Sequence, residues 1–317
     1  MKIALVHMRH AASGGTERYL NLLSSHLAEA GHEPIIVCRS HGEPQHPAVQ
    51  FVRLRPFSIG AAARMWNFAR AVEKHVNEVP YDVVFGLGKT WSQDIIRMGG
   101  GCHQTYLDLA HEATRSPVER ILRKGARKQR LALEIERRAF LPGAYQQVIT
   151  NSRLTREDAM QRHGIPADKI HVIHNGTDTE RFHPSLRAGI GLELRRSLGW
   201  KGAEEVLLFL GTGYGRKGLD HVLAGTAQLA KSRPLLRLLV VGYDSSRAQW
   251  EARAEQLGVA DRCQFLGGRS DPEACYGAAD VYILPTRYDP FANSTIEALA
   301  CGLPTITTAS NGGSEVI

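Results

Sequence analysis

Two carboxylates eight positions apart, Asp289 and Glu297, bracket a run of small polar residues in YDPFANSTIEALACGLPT (288–305). The run follows VYIL (281–284), an apolar segment of strand character that stops at Pro285. Asn293, Ser294 and Thr295 suit the start of a helix, and Glu297 in its first turn favours the macrodipole. Ser294-x-x-Glu297 also reads as a capping box. That local reading leaves Asp289 without a purpose. Carboxylates accept hydrogen bonds from paired hydroxyls, and the free N–H groups of a helix's first turn hold phosphate oxygens. The stretch therefore suits a polyol phosphate.

A second cluster is Gly211-Thr-Gly-Tyr-Gly-Arg-Lys-Gly218, at the end of the strand-like run VLLFLGT. Glycines from Gly211 onward let a ligand approach the backbone, and Arg216 and Lys217 beside a helix start suit a diphosphate. The spacing fits neither G-K-[ST] nor G-x-G-x-x-G. A third is Ser13-Gly14-Gly15-Thr16-Glu17, between the first strand and the first helix. Gly14 and Gly15 read equally as an anion-binding turn or as a tight connection capped by Thr16. His103, in a glycine-rich loop after IIRMGG, can meet a hydroxyl or phosphate, though a histidine there more often satisfies a local hydrogen bond.

These residues need elements that bring them to one edge. Apolar runs (IALVH, PIIVC, VQFVRL, DVVFGLG, QQVITNS, VLLFLGT, LRLLVVGY, CQFLGG, DVYILPT, LPTITT) alternate with amphipathic helical stretches at 17–30, 62–79, 153–163, 219–231 and 248–257. Continuous apolar strands separated by helices predict a doubly wound parallel sheet, whose ligands sit at the carboxyl ends of the strands. The strand, glycine turn, helix, strand pattern occurs twice. Two Rossmann-like domains are expected, at 1–173 and 190–317, with a polar linker at 174–189. The sequence stops at GGSEVI, as if opening another helix, so the carboxyl end reads as truncated.

Composition narrows the classes. At 43% hydrophobic and 22% charged the chain reads as a soluble globular protein, without an apolar run long enough to span a bilayer. MKIALVHMRH is a first strand rather than a signal peptide. Five scattered cysteines without C-x-x-C fit a reducing cytoplasm. The formal net charge is +7, and Arg115 to Arg138 holds nine Lys/Arg against three Glu. That segment reads as a basic helix, with Ile121, Leu122, Leu131, Leu133 and Ile135 among its charges. It suits an anionic membrane surface, against the plainer reading of a solvated helix. No nucleic-acid motif accompanies the charge.

Taken together, GGTERYL, ITNSRLTREDAM, VIHNGTD, FLGTGYGRKGLDHVL and YDPFANSTIEALACGLPTITT resemble glycosyltransferase family 4, a retaining group of the GT-B fold using nucleotide sugars. Within it the chain is most similar to the lipopolysaccharide core α-glucosyltransferases. The resemblance implies two Rossmann-like domains facing a cleft, a UDP-sugar donor with UDP-glucose the best guess, and a glycolipid or oligosaccharide acceptor. It implies that Asp289 meets donor-sugar hydroxyls, Glu297 the ribose, and Arg216 and Lys217 the diphosphate. Gly14 and Gly15 would approach the phosphate and sugar, and His103 would lie near the sugar. Asp289 stands where the family has Glu, and Ala292 where many members have Gly. With no D-x-D in the sequence, no metal or other cofactor is expected. The cytoplasm, with peripheral attachment to the inner membrane, is the expected location.

Competing readings are a NAD-dependent oxidoreductase, which lacks its G-x-G-x-x-G, a GT-B nucleotide-sugar 2-epimerase, and a non-catalytic nucleotide-sugar-binding module.

Overall fold

The computed structural model describes residues 1–11, 14–112 and 127–317. They form two compact units, Met1–His174 and Asn175–Ile317.

The first unit has seven strands: β1 (Lys2–Val6), β2 (Glu33–Cys38), β3 (Gln50–Arg53), β4 (Val83–Gly86), β5 (Ile95–Met98), β6 (Gln147–Thr150) and β7 (Ile170–Val172), of which β1, β2, β3, β4 and β6 fall on the expected apolar runs. Their order is β3-β2-β1-β4-β5-β6-β7, and every pairing is parallel. Helices α1 (Gly15–Glu29), α2 (Gly60–Glu78), α3 (His103–Glu112), α4 (Arg127–Ala139) and α5 (Arg153–His163) connect them. Central strands bury both faces, as in β1, where Ala4, Leu5 and Val6 are inaccessible. Helix α5 shows sequence setting both ends. The Ser152 hydroxyl accepts from Thr155 N–H at 3.1 Å, and Gly164 stops the helix in the left-handed region. The short strand β7 escapes a reading based on apolar runs. It is an edge strand, IHV, paired only with β6, and carries an exposed polar residue at its centre.

In the second unit β8 (Glu205–Leu210), β9 (Leu236–Val241), β10 (Cys263–Gly267), β11 (Val281–Leu284) and β12 (Thr305–Thr307) form a parallel sheet in the order β10-β9-β8-β11-β12. Around it lie α6 (Ile190–Ser197), the single turn α7 (Tyr214–Lys217), α8 (Leu219–Leu229), α9 (Arg247–Gln256), α10 (Pro272–Ala278) and α11 (Asn293–Ala300). Both sheets place the first strand between the second and the fourth, the doubly wound order expected.

Two expectations change. Residues 175–189, read as linker, belong to the second unit: Phe182 is buried in its core. An added Cβ on Gly277 of α10 would stand 2.6 Å from the Leu186 carbonyl oxygen. The polar letters of this stretch hide these backbone-to-backbone contacts. The basic run 115–138 is described only from Arg127. There its apolar side is inward, with Ala132 and Ile135 buried and the Arg138 guanidinium 4.8 Å from the Trp66 ring centre. Glu134 bonds both Arg137 and Arg138 on the outside. Leu131 and Ile135 therefore pack the core rather than face a bilayer, while Ile121 and Leu122 lie outside the described residues.

Candidate active site

In the second unit the sequence motifs meet at the carboxyl edge of the sheet. The loop after β8 runs into α7, which ends on Arg216 and Lys217. Gly218, with φ +84°, turns the chain into α8, and an added Cβ there would lie 2.1 Å from the Pro285 carbonyl oxygen. Only glycine supplies both that φ and that clearance. Gly211 is close to the Lys217 stem, which an added Cβ would approach to 3.2 Å. From the next loop Asp289 reaches the same point. Its Oδ2 accepts from Lys217 Nζ at 2.5 Å and from Arg216 Nη1 at 2.9 Å, while Oδ1 accepts from Phe291 N–H at 3.2 Å.

The three charges differ in depth. Lys217 is 6% and Asp289 7% exposed. The Arg216 side chain is 29% exposed, so it is the member of the cluster most open to a ligand. Burial alone would raise the Asp289 carboxyl, but Lys217 and Arg216 outweigh it and hold the group below the usual carboxylate range. Burial pulls the Lys217 ammonium down, with Asp289 opposing. The carboxylate's direction governs, because two cations face it at hydrogen-bond distance and keep it ionised. Arg216 Nη1 also donates to the Tyr288 carbonyl at 2.8 Å. The Nε and Nη2 edge of the guanidinium stays available for a bidentate oxyanion.

The start of α11 differs from the capping box. Its N-cap is Ala292, with no side-chain cap. The Ser294 hydroxyl accepts from Tyr282 OH at 2.7 Å, and Thr295 Oγ1 accepts from Asn311 Nδ2 at 2.9 Å. Both hydroxyls therefore point into the protein, and what α11 offers outward is backbone N–H. Asn293 Oδ1 accepts from Asn175 Nδ2 at 2.8 Å. Glu297, 8% exposed, accepts from Tyr276 OH at 2.7 Å rather than capping the helix. Burial, then the Glu297 charge, keeps the Tyr276 hydroxyl protonated well above its ordinary range, so it stays a donor.

One residue here went unread in the sequence. Asn311 is fully buried: Oδ1 accepts from Ala292 and Gly313 N–H, and Nδ2 donates to Thr295 and Thr307 hydroxyls. With the Asp289 N–H bonded to Ser310 and the Asp289 carbonyl to Gly312, it ties the loop to the following turn. The only signal was an Asn before Gly-Gly.

In the first unit Gly14 and Gly15 open α1 after β1, at the carboxyl edge. Gly14 has φ +116°, and an added Cβ would meet the Glu17 carboxylate at 2.1 Å. Gly14 is itself the N-cap, without a side-chain bond, so Thr16 does not cap. His103 is the first residue of α3 rather than a loop residue. Its Nδ1 lies 3.0 Å from Lys89 Nζ and its Nε2 2.7 Å from Gln129 Oε1. An ammonium only donates, so Nδ1 accepts and Nε2 carries the proton. Burial first, then the Lys89 charge, lowers the His103 pKa and keeps the ring neutral. Sequence reasoning also missed Arg97, a buried cation in β5 lying 3.7 Å over the Tyr19 ring of α1. Its signal was an arginine inside an apolar strand. Beneath α3, Cys102, Glu136 and His163 place ligand-type atoms within 4.8 Å of one another. Glu136 already accepts from the His103 N–H and contacts His163.

The profile of Glycosyltransferase Family 4 matches residues 13–181, and that of Glycosyl transferases group 1 matches residues 192–317. The chain belongs to glycosyltransferase family 4. Among curated proteins it is 26% identical over 332 residues to the uncharacterized glycosyltransferase MJ1607 of Methanocaldococcus jannaschii, covering 100% of this chain and 83% of that one. It is 25% identical to the lipopolysaccharide glucosyltransferase WaaG of Escherichia coli K12, with the same coverage. The crystal structure of WaaG superposes with a TM-score of 0.82 over 99% of this chain and 83% of that chain. The fold also matches Anabaena HepE in complex with UDP-glucose, at a TM-score of 0.68, 19% identity, and coverage of 100% of this chain and 83% of that chain.

For a family 4 chain the fold is therefore GT-B and the activity class glycosyl transfer. The family departure at Ala292 is accommodated locally: its φ of −75° and ψ of 107° suit any L-residue.

Proposed function

We propose that this chain moves a hexose from a nucleoside diphosphate sugar, with UDP-glucose as donor, to a hydroxyl of a lipopolysaccharide core or related glycolipid, retaining the anomeric configuration. The observation that carries the reading is the cation pair Arg216 and Lys217, held by Asp289 beside the open start of α11 and Glu297.

The bond from the anomeric carbon to the diphosphate breaks as negative charge grows on the leaving group. Arg216 and Lys217, already oriented, meet that charge without reorganising. The acceptor oxygen bonds to the anomeric carbon, and its proton passes to the departing phosphate oxygen. Glu297 accepts from the ribose hydroxyls. A carboxylate offers about four lone-pair sites, and three bonds occupy Asp289. One site on Oδ1 remains, enough for a single sugar hydroxyl. Asp289 thus acts mainly by aiming the cations, which explains how the shorter side chain serves. His103 has both ring nitrogens engaged, Nδ1 by Lys89 and Nε2–H by Gln129, so it is poorly placed for proton abstraction and meets a sugar oxygen only by exchanging Gln129 for it. With cations supplied by the protein, no metal is required in this reading. The basic run 115–138, with Arg127, Lys128 and Arg130 exposed, supplies charge toward the phosphates of an anionic acceptor.

The test is titration of the chain with UDP-glucose, UDP-GlcNAc, GDP-mannose and NAD by calorimetry, then transfer assays with and without EDTA. UDP-glucose binding and EDTA-insensitive transfer are expected. Binding of NAD alone, or no nucleotide bound, would sink the proposal. Loss of transfer with EDTA would redirect attention to Cys102, Glu136 and His163. Glu297→Ala should weaken UDP-sugar binding, and Asp289→Asn should reduce turnover more than UDP affinity.

A further inference from the structure

The two most exposed large apolar side chains among the described residues, Phe57 at 86% and Ile59 at 80%, sit one residue apart in the loop between β3 and α2. Folding does not call for either. Ile59 occupies the N-cap of α2, where a Ser, Asp or Asn would accept a helix N–H, and it makes no capping bond. Local chemistry given up at an exposed position points to a use outside the chain.

The loop is also built, not slack. Arg39 Nη1 donates to the Pro56 carbonyl at 3.2 Å, and Arg55 Nε to the Arg39 carbonyl at 3.3 Å. Ser58 Oγ donates to the Pro56 carbonyl, and Asn67 Nδ2 to the Phe57 carbonyl at 2.9 Å. The backbone is tied from both sides, so presenting the two side chains to water costs little further ordering on contact.

Charge narrows the partner. From Pro44 to Val72 there is no Asp or Glu, and the stretch holds Arg53, Arg55, Arg64 and Arg70. All four arginines are exposed. A protruding aromatic and aliphatic pair in a stretch whose only charged side chains are exposed arginines matches an anionic bilayer: apolar tips enter the acyl boundary while guanidinium groups meet headgroup phosphates. A nucleic acid could stack on Phe57, but its charged backbone gives Ile59 no apolar volume to enter, whereas an acyl layer takes both side chains.

We propose that the loop Arg55–Gly60 is a membrane-docking wedge, inserting Phe57 and Ile59 into an anionic lipid surface while Arg53, Arg55 and Arg64 hold the headgroups. It lies at the carboxyl edge of the first sheet, the edge that carries Gly14 and the start of α3. The wedge uses none of the residues of the basic run 115–138 and stands apart from the donor assignment.

The experiment is co-sedimentation of the full chain with vesicles of phosphatidylglycerol and phosphatidylethanolamine, roughly one to three, with pure phosphatidylcholine as control. The wild type should bind the anionic vesicles and lose binding as salt rises. Phe57→Ser with Ile59→Ser should weaken binding about tenfold or more, and Arg55→Gln with Arg64→Gln should flatten the salt dependence. A Phe57→Trp chain should blue-shift its emission on anionic vesicles only. Equal partitioning of the double serine variant, or an unshifted emission from the Phe57→Trp chain, would overturn the wedge. So would a concentration-dependent dimer abolished by the double serine variant, which would assign the patch to a second copy. UDP binding, measured in parallel, should stay unchanged in these variants and so reports separately on the donor reading.

Discussion

At the scale of single residues, the central object is one buried carboxylate shared by two cations. Removing its charge strands Lys217 in the interior, and breaking a buried pair costs about 3–5 kcal/mol. Asp289→Ala should therefore unfold at clearly lower urea concentration, while Lys217→Met with Asp289→Ala together recovers most of the loss. Recovery below a third of the loss would show that the pair does not set local stability. The acid limb gives an independent check. The folded pKa of Asp289 lies below its unfolded value of about 3.9, so its stabilisation is present above that value and fades as pH falls through the folded pKa. The melting-temperature gap between wild type and Asp289→Asn should keep its full width down to about pH 4 and narrow progressively as the pH falls below it. A gap constant with pH would refute the assignment of ionised Asp289. The sequence made Arg216, Lys217, Asp289 and Glu297 legible because charge in a small-residue loop stands out. It misdirected Ser294 and Thr295. Hydroxyls at a helix start look alike whether they face water or, as here, Tyr282 and Asn311, which come from other elements.

At the scale of elements, apolar periodicity revealed most of both sheets, because central parallel strands must be apolar on both faces. It failed where contacts are made by backbone or glycine. Residues 175–189 look like linker because Leu186 and Gly191 meet Gly277 through main-chain atoms. The turn joining α7 to α8 depends on the same kind of closeness. Gly218→Ala puts a methyl onto the Pro285 carbonyl in a left-handed conformation, at a cost of about 1–3 kcal/mol. Gly218→Asn, which tolerates positive φ, should fare no better, since the overlap is with backbone. If asparagine restored wild-type stability, φ alone would be the constraint. Asn311→Ala leaves the Ala292 and Gly313 N–H groups unpaired, costing roughly 1–3 kcal/mol. UDP-sugar affinity should fall with it, because the start of α11 loosens. Calorimetry on the variant reads that loss.

At the scale of the whole molecule, all five cysteines are buried, one in each of five separated places in the sequence. Burial pushes Cys38 up to about 11 and Cys263, Cys275 and Cys301 up to about 12, with Cys102 also raised. The native chain at pH 8 should show almost no reaction with Ellman's reagent, and five thiols should appear on denaturation. Fast modification of the native chain would mean that one unit opens readily. Among the described residues no helix is long and apolar enough to cross a membrane. The proposed wedge lies in a loop that shares its sheet edge with the glycine turn of α1. An enzyme held by that edge meets its acceptor by lateral diffusion. Its rate would follow acceptor molecules per unit area of leaflet, so diluting the acceptor with inert lipid would slow it at constant bulk concentration.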